Sequence, residues 1–196
     1  MPAPLPHLVL ASTSTFRREL LARLRLPFDV ARPDTDERPR PGEAPAATAE
    51  RLAREKAEAV AARFPGALVI GSDQVASCGD ERFDKPGSRA GAIAQLERLA
   101  GRTVVFHTGV CLLNAATGAC QVRGVPTEVG YRRLTRDAIE RYVDADDPSG
   151  CAGAIKSESA GIALVELLRG DDPTALVGLP LIALCAMLRA EGVPLP

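Results

Sequence analysis

The run from Ala67 to Val75, ALVIGSDQV, constrains the fold more than any other stretch. Its first four residues are apolar without alternation, so a strand here is apolar on both faces. Such strands lie inside a sheet that is covered on both sides. The run passes into Gly71, Ser72 and Asp73, where the strand is expected to surface. A shorter apolar run, Leu8 to Ala11, ends in the hydroxyl cluster Ser12, Thr13, Ser14 and Thr15. Helical spacing follows from Phe16 to Leu24, and it places Phe16, Leu20, Leu21 and Leu24 on one face expected to be buried.

The rest of the chain reads as alternating helices and strands, then a long hairpin. Ala47 to Phe64 is rich in Ala, Glu and Arg and predicts a helix, with Thr48 as its candidate N-cap. Arg32 to Pro45 is a charged, Pro-rich loop. A helix is expected over Arg89–Leu99, with Ser88 as cap and Gly101 beyond its end. Thr103 to Leu134 predicts a hairpin turning at Asn114 to Gly118. Thr135 caps a short helix, Gly161 to Gly170 gives a strand or strand-turn unit, and a last helix has Pro180 near N1 and Gly192 near C′. The pattern predicts one α/β domain with a mixed sheet flanked by helices.

Totals exclude several classes. A net charge of −1 over 196 residues argues against a nucleic-acid binder. No stretch approaches the roughly 18 apolar residues of a membrane helix, and the first residues do not resemble a signal peptide. Trp is absent and aromatics are few, which disfavours base-stacking platforms. The five cysteines, Cys78, Cys111, Cys120, Cys151 and Cys185, form no metal-ligand spacing and no disulfide framework. Cys111 and Cys120 could face each other across the hairpin. Reduced thiols in a cytoplasm fit this pattern best.

Ligands in such sheets bind outside the carboxyl ends of strands, here Ser12 to Arg18 and Ser72 to Gln74. Free N–H groups and hydroxyls at a helix start make an anion site. Arg17 and Arg18 in that first turn oppose the helix dipole, at about 0.3–1 kcal/mol each, unless an anion is gripped by one of them. The plain alternative is that both are solvated or paired with Glu19 or with a carboxylate of the Pro-rich loop. Asp73 could hold a divalent cation, act as a general base, or cap a turn. Asp36 and Glu37, in the Pro-rich loop, could complete a metal shell. Of 24 basic residues only three are lysine: Lys56, Lys85 and Lys156. A compact ammonium suits contacts to polyphosphate oxygens, although each could simply be solvated. Neither a G-x-x-x-x-G-K-[ST] nor a G-x-G-x-x-G motif is present, and His7 and His107 build no catalytic triad.

Six segments in order, LVLASTSTFRRELL, RLAREKA, VIGSDQV, DKPGS, LAGRTVVFHTGV and VGLPLIALCAMLRAEG, resemble the Maf family of nucleotide pyrophosphatases. The likeness spans Leu8 to Gly192. CAGAIKSESAGIALVELLRGDDPTALVGLPLI is similar to the subgroup acting on 7-methyl-GTP rather than on dTTP and UTP. The resemblance implies a single Maf/ITPase-like domain over residues 1–196, with two lobes around a deep cleft. It implies hydrolysis of a nucleoside triphosphate to monophosphate and pyrophosphate with Mg, Mn or Co. Asp73 matches the proposed proton acceptor and a metal position, and Glu37 matches the acidic loop residue. Ser12, Arg17, Arg18, Lys56 and Lys85 match phosphate-facing positions, and Phe16, Gln74 and Glu158 positions associated with the base. Ser14, a hydroxyl of the anion site, and Lys156, in a small-residue stretch that permits close approach of a ligand, are further candidates for substrate binding from the residues alone. Asp84 stands where the family usually has Gly. Ser159 and Ala160 stand where the subgroup often has Gly and an aromatic. A cytoplasmic location and a homodimer are expected, with no nucleic-acid or membrane partner. Other implied readings are dTTP/UTP hydrolysis and a nucleotide-binding regulator of septum formation.

Overall fold

The computed structural model describes residues 6–196. In chain order the elements are β1 (Leu8–Leu10), α1 (Thr15–Ala22), β2 (Phe28–Val30), α2 (Pro45–Ala61), β3 (Leu68–Cys78) and β4 (Glu81–Arg82). They continue with α3 (Arg89–Leu99), β5 (Thr103–Asn114), β6 (Cys120–Tyr131), α4 (Arg136–Asp146), β7 (Val165–Gly170) and α5 (Leu181–Ala190). The strands form one sheet in the order β2-β1-β3-β5-β6-β7, with β4 added on β3. β1 is parallel to β2 and β3, whereas β4 runs antiparallel to β3 and β7 to β6. The sheet is therefore mixed, as the alternation of elements predicts. Among the described residues no helix is long and apolar enough to cross a membrane.

The chain divides into two compact units. The first comprises the residues up to Asp73, Thr108–Val125 and Asp172–Pro196. Strand alternation gives this unit two apolar faces. Leu8, Leu10 and Ile70 pack with Leu20 and Leu21 of α1 and Leu184 and Leu188 of α5. Val9, Ala11 and Val69 point the other way and meet Ala53, Ala57 and Val60 of α2. Each fully buried Leu or Val contributes about 1.5–3 kcal/mol. Small residues let α2 lie close to the sheet. A Cβ on Gly71 would fall 2.0 Å from the Ala53 carbonyl oxygen, and one on Gly109 2.3 Å from that of Ala49.

Four local expectations need correction. Phe16 and Leu24 are half-buried, and only Leu20 and Leu21 of α1 are fully enclosed. Thr48 is no N-cap: Pro45, with its fixed φ and no N–H to satisfy, starts α2 after Ala44. The Thr48 hydroxyl instead lies 2.8 Å from Glu43 Oε2 and 3.1 Å from the Ala44 carbonyl. Pro180, expected near N1 of α5, stands one position earlier as its N-cap. Finally, β3 does not surface at Asp73 but continues to Cys78.

The second unit comprises Gln74–His107 and Pro126–Asp171. α3 and α4 pack together there, capped by Ser88 and Thr135 as expected. The Tyr131 hydroxyl donates to the Gly153 carbonyl at 2.8 Å. Gly153 has φ +66°, and a Cβ there would meet the Phe106 ring at 2.7 Å. The Gly161 to Gly170 segment resolves into a short 3-10 turn, Ala160–Leu164, followed by edge strand β7.

Candidate active site

Three elements of the first unit bring charged groups together. The Lys56 ammonium, from α2, donates to Asp73 Oδ1 of β3 at 2.6 Å. It also lies 2.7 Å from Glu37 Oε1 in the Pro-rich loop. Lys56 is 5% exposed and Asp73 7%. Unpaired, either charge would cost several kcal/mol to bury, so each requires the other. Glu37 stays on the exposed side. Its loop is tied to α2 by Glu43, which accepts from Arg51 Nε at 2.6 Å and Nη2 at 2.7 Å.

α1 supplies Arg17. Ser14 caps the helix by accepting from the Arg17 N–H at 3.4 Å, and Ser12 Oγ accepts from the Ser14 N–H at 3.2 Å. The half-buried Arg17 side chain donates from Nε to the Gly178 carbonyl at 2.8 Å. Gly178 has φ +120°, a conformation that side chains rarely adopt. Its carbonyl also lies 2.9 Å from Ser72 Oγ, which is 2.7 Å from the Gly109 carbonyl. Burial pushes the Arg17 pKa down, while the charges of Asp73 and Glu37 oppose that fall. Arg17 is thus within electrostatic reach of both carboxylates. Arg18, about 100° further round the helix, is exposed. Phe16 is half-buried on the same helix.

Two carboxylates and two cations leave this cluster neutral. Among the described residues no group of three or more His, Cys, Asp or Glu side chains is arranged to hold a metal. Glu37 and Asp73 still offer two hard oxygen donors converging on one cation. That set suits a Mg-like ion, which takes its remaining oxygens from water and substrate phosphates.

The other expected residues lie in the second unit. Gln74 follows Asp73 on β3 and is half-buried. Lys85 is exposed, next to Asp84, whose carbonyl accepts from Gln95 at 2.9 Å. The Lys156 ammonium donates to the Asp146 carbonyl, and its backbone N–H donates to the Tyr142 hydroxyl at 2.9 Å. Glu158 is exposed. Lys156, Glu158 and Lys85 all act electrostatically on the Cys151 thiol, whose pKa burial raises.

Residue patterns missed Ser72 and Gly178 as the holders of Arg17. In sequence Ser72 is only part of a polar strand end and Gly178 only part of a motif. They also missed the capping of α5, where Asp172 Oδ2 accepts from the Ile182 N–H at 2.7 Å and Thr174 Oγ1 from the Leu181 N–H at 2.8 Å.

A family profile described as "Maf-like protein" matches residues 7–191. The chain belongs to the Maf-like family. It is similar to the 7-methyl-GTP pyrophosphatase of Aromatoleum aromaticum, 61% identical over 96% of this chain and 97% of that protein. The protein of the same description from Cupriavidus metallidurans is 53% identical over 96% and 95%. That from Xanthomonas oryzae pv. oryzae is 54% identical over 98% and 100%. Among solved structures, a HAM1 protein from Coxiella burnetii aligns with a TM-score of 0.47 and 17% identity, over 66% of this chain and 75% of that one. The fold class of this Maf-like chain rests on its own sheet and helices.

Proposed function

We propose that the protein hydrolyses 7-methyl-GTP to 7-methyl-GMP and pyrophosphate. The observation that carries the chemistry is the Lys56 ammonium held between Asp73 and Glu37, with Arg17 oriented by Gly178 beside them. The relatives matched over nearly their whole length are named for 7-methyl-GTP, which supports that substrate over a pyrimidine nucleotide.

Lys56 takes Asp73 Oδ1, which leaves Oδ2 to accept a proton from water. That water attacks the α-phosphorus, the bond from that phosphorus to the bridging oxygen breaks, and pyrophosphate leaves with that oxygen. Phosphoryl transfer needs positioning and charge stabilisation more than covalent help. Lys56 and Arg17 supply fixed positive charge on the triphosphate, and Ser12 and Ser14 hydroxyls with the α1 N–H groups offer donors to its oxygens. Glu37 and Asp73 would hold a divalent cation (Mg, Mn or Co). When bound, that cation neutralises phosphate charge and lowers the pKa of its water. A neutral protein cluster cannot by itself balance a triphosphate, which is why a metal belongs in this reading.

The base assignments of Phe16, Gln74 and Glu158 rest on motif likeness, as do substrate contacts for Arg18 and Lys85; that for Lys156 rests on the small residues around it. A 7-methylguanine ring is cationic, so an aromatic face attracts it by about 0.5–2 kcal/mol and a carboxylate offsets its charge. A panel of nucleoside triphosphates, run with each metal and scored for pyrophosphate, tests the reading. 7-Methyl-GTP should show the highest kcat/KM. A preference for dTTP or UTP would overturn the substrate assignment, and no release from any nucleotide would favour a binding role at septum formation. A cytoplasmic enzyme that works on free nucleotides, as a homodimer, is the setting we propose.

A further inference from the structure

The hairpin joining β5 to β6 carries a pair of sulfurs that the hydrolytic chemistry does not use. Cys111 Sγ and Cys120 Sγ are 3.5 Å apart. Both cysteines are free. Among the described residues no other two cysteine sulfurs are in contact. We propose that Cys111 and Cys120 form a reversible intrachain disulfide, a modification site closed by low-molecular-weight disulfides such as glutathione disulfide and reopened by thiols.

β5 and β6 are neighbours in the sheet. The Asn114 N–H donates to the Ala119 carbonyl at 2.8 Å, a register that sets Cys120 opposite Leu113 and makes Cys111 its diagonal neighbour on the same face. Diagonal side chains come within reach of one another across a sheet, and these two already touch through their sulfurs. Closing the bond brings those sulfurs to about 2.05 Å.

The two thiols have different access, and this fixes the order of events. Cys120 is exposed, whereas Cys111 is fully buried against Ala53, Ala57 and Val60 of α2. The Cys120 thiolate attacks one sulfur of glutathione disulfide, and one glutathione thiolate leaves. The Cys111 thiolate then attacks the Cys120 sulfur and expels the second glutathione. Two protein thiols become one disulfide, one glutathione disulfide becomes two glutathiones, and the two thiol protons end on those products.

The second step is assisted by the first. Burial pushes the Cys111 pKa up, and the Cys120 charge, the hydrogen bond between the two sulfurs and Glu58 of α2 add to it, while Arg54 of α2 opposes. Capping Cys120 with glutathione removes both its charge and that hydrogen bond. Cys111 then ionises more readily next to its target, and closure accelerates as pH rises. The closed bond ties 111 to 120 in the unfolded chain and so stabilises the folded one.

The test uses the full chain with excess glutathione disulfide, followed by alkylation, tryptic digestion and mass spectrometry. Both cysteines fall in one tryptic peptide, Thr103–Arg123. The expected product is that peptide two hydrogens lighter and unalkylated, with a Tm several degrees higher that dithiothreitol reverses. In Cys111→Ser the glutathione should remain on Cys120, and Cys120→Ser should take none at Cys111. Alkylation of both cysteines after treatment, or glutathione persisting on Cys120 of the unsubstituted chain, would overturn the proposal.

Discussion

Lys56 is one of three lysines in a chain that otherwise uses arginine, and its surroundings explain the choice. Its ammonium makes contacts of 2.6 and 2.7 Å to two carboxylates from different elements. A compact point donor fits between them and a planar guanidinium does not. Lys56→Ala would leave Asp73 buried without its partner, and equilibrium denaturation should show a loss of about 3–5 kcal/mol. Lys56→Arg should fold better than that, yet lower turnover roughly tenfold or more; equal turnover would show that charge alone suffices. The paired arginines were a legible oddity, because they start a helix with the wrong charge. Choosing between them was not legible, since the partner of Arg17 is a carbonyl 161 positions away. Asp73 was visible as a carboxylate after an apolar run. Its burial was not, because that depends on an ammonium from a separate helix.

At the level of elements, the approach of α2 to the sheet sets the position of Lys56. Gly71 and Gly109 leave room for the α2 backbone, so Gly71→Ala must displace the helix. Overpacking of this kind costs about 1–3 kcal/mol, and turnover should fall with it; unchanged kcat would separate helix position from catalysis. The Pro-rich loop is docked by Glu43. Hydrogen bonds from Arg51, then from the Arg40 N–H and the Thr48 hydroxyl, hold its pKa down to about 2, whereas an unfolded Glu titrates near about 4.3. A depressed pKa contributes stability above the unfolded value, and the contribution is lost as pH falls through the folded one. The Tm gap between the unsubstituted chain and Glu43→Gln should be full at neutral pH and close between about pH 4.3 and 2. A gap independent of pH would contradict the pairing. Caps at Ser88 and Thr135 were legible because capping is local. The length of β3 was not, since Ser72 and Asp73 are satisfied inside the strand by Gly109, Gly178 and Lys56, and no local pattern shows such partners.

For the whole molecule, periodicity fixed the class of fold, and ordered motifs indicated the family that the profile match then established. The apolar faces of β1 and β3 required cover on both sides, and α1 and α5 on one side and α2 on the other provide it. Division into two compact units does not follow from periodicity, because the first unit is assembled from three separate stretches of chain. The central claim is that Asp73 takes the proton of the water that attacks 7-methyl-GTP. Asp73→Asn keeps the shape and an oxygen for Lys56 to bind but removes the base. Pyrophosphate release from 7-methyl-GTP, measured beside a thermal melt, should fall about 10²–10⁴-fold, while the melt still shows a cooperative fold at a lower Tm, because Lys56 keeps Glu37 but loses one charged partner. Near-normal turnover in a folded Asp73→Asn protein would contradict the account.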